Sequence, residues 1–559
     1  MRIAIVLPFL LDLSGSAGTG RISGAALALN VFARRYANDP EVEALELYLA
    51  PRDLLNPDAI RGLASLILEP ANFGRGKLEI HSIYAIPDVW GDGRERIIHT
   101  DDLHLFARDR DLRDRYAKGP TPIACDIHCM GHKSSVDSLR LVARMPRNSF
   151  DRIYATSASA AEAINATFET LGAGLHTSVQ VQPRMIDPAG LNPCSGLEEK
   201  SAIRRKLGLP EEGVIALSIG RMSVATKGDL AVLVEVFAEA AGRDHHLVIA
   251  GHEEVTGYAE LVLDLAARLG ASERVHIIGG FGIGSRGELY RASDFLVFPA
   301  DSGNEVFGQV TVEAMACGLP VLGTDWDGLK DTIEHGVTGF KVPTYTLPRL
   351  GRFDGLTQAA DEPTTLLLRA QATVIDRHVF GAFFTQMLED SDLRQRMGRA
   401  AVDAYRTRFH PERLYPKLIA AFHQQLQAAG DEPVSSREER QRWAAEHALT
   451  VPAFEQFERY GTRPLLATDH RFKTTAKGLA ALKGTNSIEL FPEVTVVLPV
   501  AVIELLLSKL SIPRNALDIQ EIATQSQIPY DVLHFGLAAL CKRGYISLER
   551  TGSNPLDGL

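Results

Sequence analysis

The stretch Asp294-Phe-Leu-Val-Phe-Pro-Ala-Asp-Ser-Gly-Asn-Glu305-Val-Phe-Gly308-Gln-Val-Thr-Val-Glu313-Ala-Met-Ala-Cys-Gly318-Leu-Pro320 decides the fold. Phe295 to Phe298 is an unbroken apolar run, the pattern of a parallel strand covered on both faces. Asp301, Ser302, Gly303 and Asn304 form a polar loop. A helix is expected from near Val306 to Gly318, and Pro320 opens the next buried strand. A loop at the carboxyl end of a strand thus feeds a helix N-terminus. Open α/β sheets bind ligands there, and free N–H groups there favour phosphate. Glu305 and Glu313 frame the turn. A carboxylate at that place is unsuited to holding phosphate and suited to accepting hydrogen bonds from hydroxyl groups.

A second strand-loop-helix unit lies upstream. Val214 to Ile219 reads as a buried strand, Gly220-Arg221-Met-Ser-Val-Ala-Thr-Lys227-Gly228 as a loop, and Asp229 to Ala240 as a helix. Arg221 can fork onto two anionic oxygens, and Lys227 acts as a point charge. Two cations facing the Glu305 loop suit a reaction in which negative charge develops.

The spacing Glu305-x7-Glu313, with Phe307-Gly308, Glu313-Ala-Met-Ala and Gly318-Leu-Pro320, resembles the signature of retaining glycosyltransferases of family 4. Gly220-Arg221 with Lys227-Gly228 is similar to a second motif of that family. The resemblance implies a GT-B architecture, in which two Rossmann-like domains face each other across a cleft. It implies transfer of a sugar from a nucleotide diphosphate sugar, with UDP favoured, and no metal or other cofactor. By the same resemblance, Glu305 meets hydroxyls of the transferred sugar and Glu313 the ribose. Arg221, Lys227 and backbone N–H groups near Phe307, Gly308 and Gln309 meet the diphosphate. Gly280 and Phe281, after the strand Val275 to Ile278, are base-site candidates. Gly18 and Gly20 are candidates for a loop approaching the donor. A histidine after a strand of the first domain reaches the sugar; His128 matches best and His132 second. The turn Val181-Gln-Pro-Arg184-Met185-Ile-Asp187-Pro departs from the family's Pro-Asn-Gly-x-Asp.

Composition sets the outer bounds. The chain has 559 residues, enough for about three domains at the usual 100–200 residues each. Hydrophobic residues make up 45% and charged residues 23%, and the net charge is −11. That balance argues against nucleic acid or an anionic membrane as the main partner. Five cysteines, an odd and small number, point to a reducing, cytoplasmic setting. No run of 18 apolar residues is present, so no membrane span is expected. Met1 to Pro8 reads as the start of a strand and not as a leader.

The glycine-rich stretch from Asp12 to Gly24 follows the strand Arg2 to Leu7 and precedes a helix, Ala25 to Tyr36. A dinucleotide fingerprint would follow its strand at once; here about ten residues intervene, and no dinucleotide is expected. Cys125, His128, Cys129 and His132 have a spacing similar to zinc ligands. On a strand, however, Cys125 and His128 point to opposite faces, and no metal is expected.

The expected organisation is an N-terminal domain over 1–195, a nucleotide-sugar domain over 200–405, a closing helix over 406–429, a linker over 430–445 and an accessory domain over 446–559. Residues 344–371 read as an insertion. The accessory domain reads as mainly α and similar to a winged helix: Val500 to Leu510, Ile519 to Gln525 and Pro529 to Arg543 as helices, then a strand and wing from Tyr545. Over 491–559 five cations (Lys509, Arg514, Lys542, Arg543, Arg550) meet seven anions. A DNA reader needs several phosphate contacts, so a homodimer contact or a docked protein or peptide is expected in place of DNA. The acceptor is open among peptide, glycan and small molecule. Two rival readings share this architecture: a sugar-nucleotide epimerase, which needs no acceptor, and a non-catalytic nucleotide-sugar sensor with a binding module.

Overall fold

Two parallel sheets dominate the computed structural model, which describes residues 1–7, 24–172, 177–347, 351–356, 359–447 and 464–550. Gly18 and Gly20 lie outside the described residues. The first sheet has seven strands: β1 (Arg2–Val6), β2 (Ala44–Leu49), β3 (Leu78–Ser82), β4 (Arg96–Thr100), β5 (Ile123–Asp126), β6 (Arg152–Ala155) and β7 (Ser178–Val181), in the order β3-β2-β1-β4-β5-β6-β7. The second has six: β8 (Val214–Ile219), β9 (His245–Ala250), β10 (Val275–Ile278), β11 (Phe295–Phe298), β12 (Val321–Thr324) and β13 (Gly339–Val342), in the order β10-β9-β8-β11-β12-β13. These are the two Rossmann-like sheets expected. The apolar runs supply the reason, because β1, β2, β4 and β11 are buried along their whole length, under helices on both faces. Chain order reverses at β1/β4 and at β8/β11, and each reversal opens a crevice at the strands' carboxyl ends.

The helix at Glu313 is shorter than expected, Gln309–Ala316, with Gly308 before it in the left-handed region at φ 75°. The cause is a tight turn: the Gly308 N–H donates to the Glu305 carboxylate at 3.1 Å, which delays the first helical residue. Gly328 makes the turn possible, since a Cβ there would stand 2.4 Å from the Phe307 backbone.

The helix Pro411–Gly430 returns to the first domain. Its Leu414, Leu418, Ile419 and Phe422 share a core with Ile3, Ile5, Phe32 and Tyr36 of that domain. Gln425 is fully buried in the same contact. Its amide donates to the Ile123 carbonyl (2.9 Å) and the Phe150 carbonyl (2.8 Å), and its oxygen accepts from the Tyr154 hydroxyl (2.8 Å). Every polar atom of the side chain is thereby satisfied.

The expected linker over 430–445 is instead a helix, Val434–Glu446, packed on the helix Leu103–Tyr116. Arg440 holds it there, pairing with Asp114 and Glu432. Its anchoring is ionic, so it lacks the apolar periodicity that marks an amphipathic helix. Residues expected as an insertion form a hairpin, β14 (Thr344–Thr346) with β15 (Thr373–Ile375), enclosing the helix Glu362–Gln371.

The C-terminal region is mainly helical, with Val500–Lys509, Ala516–Ser526 and Tyr530–Lys542 around one core. It also holds a small antiparallel sheet, in the order β17-β16-β18, of β16 (His470–Thr474), β17 (Arg514–Asn515) and β18 (Ile546–Arg550). β16 was not expected; its five residues alternate buried and exposed beneath a polar sequence. Among the described residues no helix is long and apolar enough to cross a membrane.

Gln425→Ala would strand two buried carbonyls and a hydroxyl. The expected loss is about 3 kcal/mol of unfolding free energy, read by urea denaturation of the intact protein.

Candidate functional site

A cleft of about 460 Å³ lies between the carboxyl edges of the two sheets. His128, Arg221, Lys227, Glu305, Phe307, Gln309, Glu313, Gly280 and Phe281 all line it. Gly308 stands behind them in the tight turn. A groove of similar size, about 500 Å³, opens elsewhere beside Lys330, Asp331 and Arg408, and holds none of those charged residues.

The centre of the cleft is an ion pair. Lys227 follows β8 and Glu305 follows β11, neighbouring strands at the reversal point, and their side chains meet at 2.5 Å. Gly228 permits the approach, because a Cβ there would sit 2.4 Å from the Pro299 carbonyl at the end of β11. Glu305 uses its other oxygen on the Gly308 N–H. The carboxylate is therefore fixed at both oxygens, directly before the start of the helix Gln309–Ala316. The Thr311 N–H turns back to the Gly308 carbonyl at 3.0 Å, while the N–H groups at the very start of that helix lack intrahelical partners, the arrangement that favours an anion at a helix N-terminus. Asp301 lies under the Lys227 loop with one buried oxygen unpartnered. Burial, and then the charge of Asp229, push its carboxyl up to about 8.

Arg221 pairs with Glu254 at 2.8 Å. Burial alone would raise the Glu254 carboxyl, but hydrogen bonds from Ser223 and Thr226 and the Arg221 charge hold it below the usual range. A protein carboxylate thus keeps Arg221 in place and competes with any incoming phosphate. No local pattern marks Glu254, which comes from the loop after β9.

Glu313 is 2% exposed and carries three donors: Gln309 Nε2 at 3.0 Å and Arg286 Nη1 at 3.0 Å on one oxygen, and the Tyr290 hydroxyl at 2.8 Å on the other. Burial and the Glu313 charge push the Tyr290 phenol well above its ordinary value, so it stays a donor. A carboxylate has about four acceptor sites, which leaves one for a ligand hydroxyl. Arg286 and Tyr290 are one turn apart on the helix Ile283–Ala292, and only that i, i+4 spacing could have suggested them.

The first domain supplies the opposite wall. His128 Nε2 meets Asp101 at 2.9 Å, and Nδ1 meets Arg184 at 2.8 Å. A guanidinium only donates, so Nδ1 accepts and the proton sits on Nε2. Both ring nitrogens have partners within the protein, and the ring lines the cleft. His132 is more exposed and meets Glu362 of the second domain at 3.1 Å. The walls also touch where the Asn304 side chain accepts from the Gly131 N–H at 3.0 Å, and where Thr156 donates to the Val306 carbonyl at 3.1 Å. Among the described residues no group of three or more His, Cys, Asp and Glu side chains could hold a metal ion; Cys125 is buried in β5.

Comparison with known proteins follows from this geometry. Residues 199–349 match the family model of glycosyl transferases group 1. The chain is 27% identical over 386 residues to the D-inositol 3-phosphate glycosyltransferase of Thermobispora bispora, spanning 65% of this chain and 84% of that one. It is 33% identical over 176 residues to the enzyme of that name from Salinispora tropica, where the match spans only 36% of the relative. Among solved structures, Anabaena HepE in complex with UDP and glucose superposes with a TM-score of 0.51 at 17% identity, over 76% of this chain and all of that one (100%). Sucrose-phosphate synthase from Thermosynechococcus elongatus gives 0.52 at 17% identity, over 77% and 100%. The two facing sheets are a GT-B fold, residues 199–349 resemble a group 1 glycosyltransferase domain, and the chain is a glycosyltransferase.

Proposed function

We propose that the chain transfers a sugar from a UDP-sugar with retention of anomeric configuration and without a metal. The observation that carries this reading is the Lys227–Glu305 pair set directly before the N-terminus of the helix Gln309–Ala316. A departing diphosphate bears several negative charges. Lys227, Arg221 and the helix N–H groups supply fixed positive potential in a water-poor cleft, where such preorganised groups are most effective. Glu305, anchored by the Gly308 N–H, takes hydroxyls of the transferred sugar once Lys227 turns toward phosphate. Glu313 accepts a ribose hydroxyl on its remaining site. The base rests against Gly280 and Phe281.

In front-face displacement the acceptor oxygen bonds to the anomeric carbon on the face from which the diphosphate oxygen departs. The acceptor proton passes to the leaving phosphate oxygen, so no side chain serves as nucleophile. Contacts between the walls, such as Gly131–Asn304, help exclude water, which would otherwise compete for the donor. UDP is favoured because a solved structure of this fold holds UDP and glucose. The relatives' name puts a phosphorylated cyclitol first among acceptors to test.

From Val500 the C-terminal region runs helix, short strand, helix, helix, strand, an order similar to a winged helix, with β16 and two short helices ahead of it. Lys542 and Arg543 stand at the far end of its third helix, and Arg543 is spent on the Glu489 carbonyl. This supports a protein-binding role over a DNA-binding one.

Incubation with a panel of nucleotide sugars and acceptors, with released UDP as readout, tests the activity. Glu305→Gln and Lys227→Ala are each expected to lower kcat about 100-fold or more, with an unchanged thermal transition. Arg286→Met removes one of three donors to Glu313. It is expected to raise the donor KM about 10-fold while kcat changes little, since ribose binding is common to ground and transition states.

A further inference from the structure

Arg184 is the one deeply buried arginine without a carboxylate partner among the described residues. It is 6% exposed and lines the cleft from the first domain. Its two partners are neutral: Nη1 donates to His128 Nδ1 at 2.8 Å and Nη2 to the Ile127 carbonyl at 2.8 Å. Its Nε is buried with no partner at all. Arg2, Arg96, Arg110, Arg113, Arg204 and Arg440 are comparably buried, and each of them holds an aspartate or glutamate. A buried charge without its counter-ion is strongly unfavourable, and proteins pair it or leave it for a ligand to neutralise.

Nearby acids do not fill the gap. Asp101 is taken by His128. Asp126 feels the Arg184 charge but forms no ion pair with it, and burial, the larger effect, disfavours its ionised form. The donor diphosphate is met on the other wall by Arg221 and Lys227. Arg184 stands beside His128, on the side of the cleft where the transferred sugar and the acceptor would come together.

We infer that Arg184 is a specificity-determining residue that binds a carboxylate or phosphate carried by one of the two substrates, either the transferred sugar or the acceptor. This rests on the transferase reading above and narrows it: at least one substrate bears an anionic group besides the nucleotide diphosphate. Arg184 stands in the turn where the sequence departs from the Pro-Asn-Gly-x-Asp motif. The guanidinium suits the task, because its planar fork matches both carboxylate and phosphate.

Two substrate pairs locate the anion. UDP-glucuronic acid against UDP-glucose varies charge on the transferred sugar. A phosphorylated cyclitol against the free cyclitol varies charge on the acceptor. The wild type is expected to favour the anionic member of one pair by about 10-fold or more in kcat/KM, a preference of ~1.4 kcal/mol. Arg184→Gln, which keeps N–H donors and drops the charge, is expected to erase that preference, and Arg184→Lys to keep part of it. Equal wild-type rates within both pairs overturn the inference without recourse to any variant. So does a preference that survives in Arg184→Gln. Failure of the wild type to transfer sugar from any donor overturns the transferase reading and this inference together, which separates the two cases.

Discussion

The contact between Lys227 and Glu305 organises the molecule's chemistry. It joins two loops that follow β8 and β11, strands adjacent in the sheet but separated by two intervening β-α units in sequence. Parallel pairing brings both loops to the same edge, and reversal of chain order leaves a crevice between them. The pair keeps a cation and an anion together in a partly buried site without the penalty of an isolated charge. In the proposed reaction it sets a competition: an arriving phosphate would draw Lys227 away and free Glu305 for hydroxyls. Arg221 with Glu254 repeats the arrangement one strand away. Each of these two cations is thus held by a protein carboxylate.

The rest of the fold keeps the two walls in register. The helix Pro411–Gly430 ties the first domain to the end of the second, and Gln425 fixes its seating by satisfying three groups at once. The helix Glu362–Gln371 leans across the cleft mouth, where Glu362 accepts from the Lys133 N–H at 2.8 Å and meets His132. Facing the donor side, Arg184 and Asp101 lock His128 in one tautomer. That wall presents the Arg184 guanidinium to the cleft beside the histidine.

Much of this was legible because the decisive elements are local. The apolar run Phe295 to Phe298, the polar loop and the helix start are contiguous, and so are Val214 to Ile219 with Arg221 and Lys227. Periodicity and turn chemistry mark such units directly. What escaped comes from long-range assembly. Glu254, Arg286 and Tyr290 meet their partners only after the second sheet closes, and nothing in their own neighbourhoods distinguishes them from surface residues. The helix Val434–Glu446 escaped because Arg440 buries it through charge. His128 was placed at the right strand end, yet its ring nitrogens were already committed, a fact that depends on Asp101 and Arg184 from two other loops. The length of the helix at Glu313 was overestimated because Glu305 folds back on Gly308, a hydrogen bond that no propensity records.

A crystal structure of the intact protein with UDP bound bears on the central claim most directly. The account predicts the diphosphate between Arg221, Lys227 and the first N–H groups of the helix Gln309–Ala316, with Lys227 turned from Glu305 toward phosphate and a ribose hydroxyl on Glu313. UDP bound away from that helix start, with the Lys227–Glu305 pair undisturbed, would contradict it.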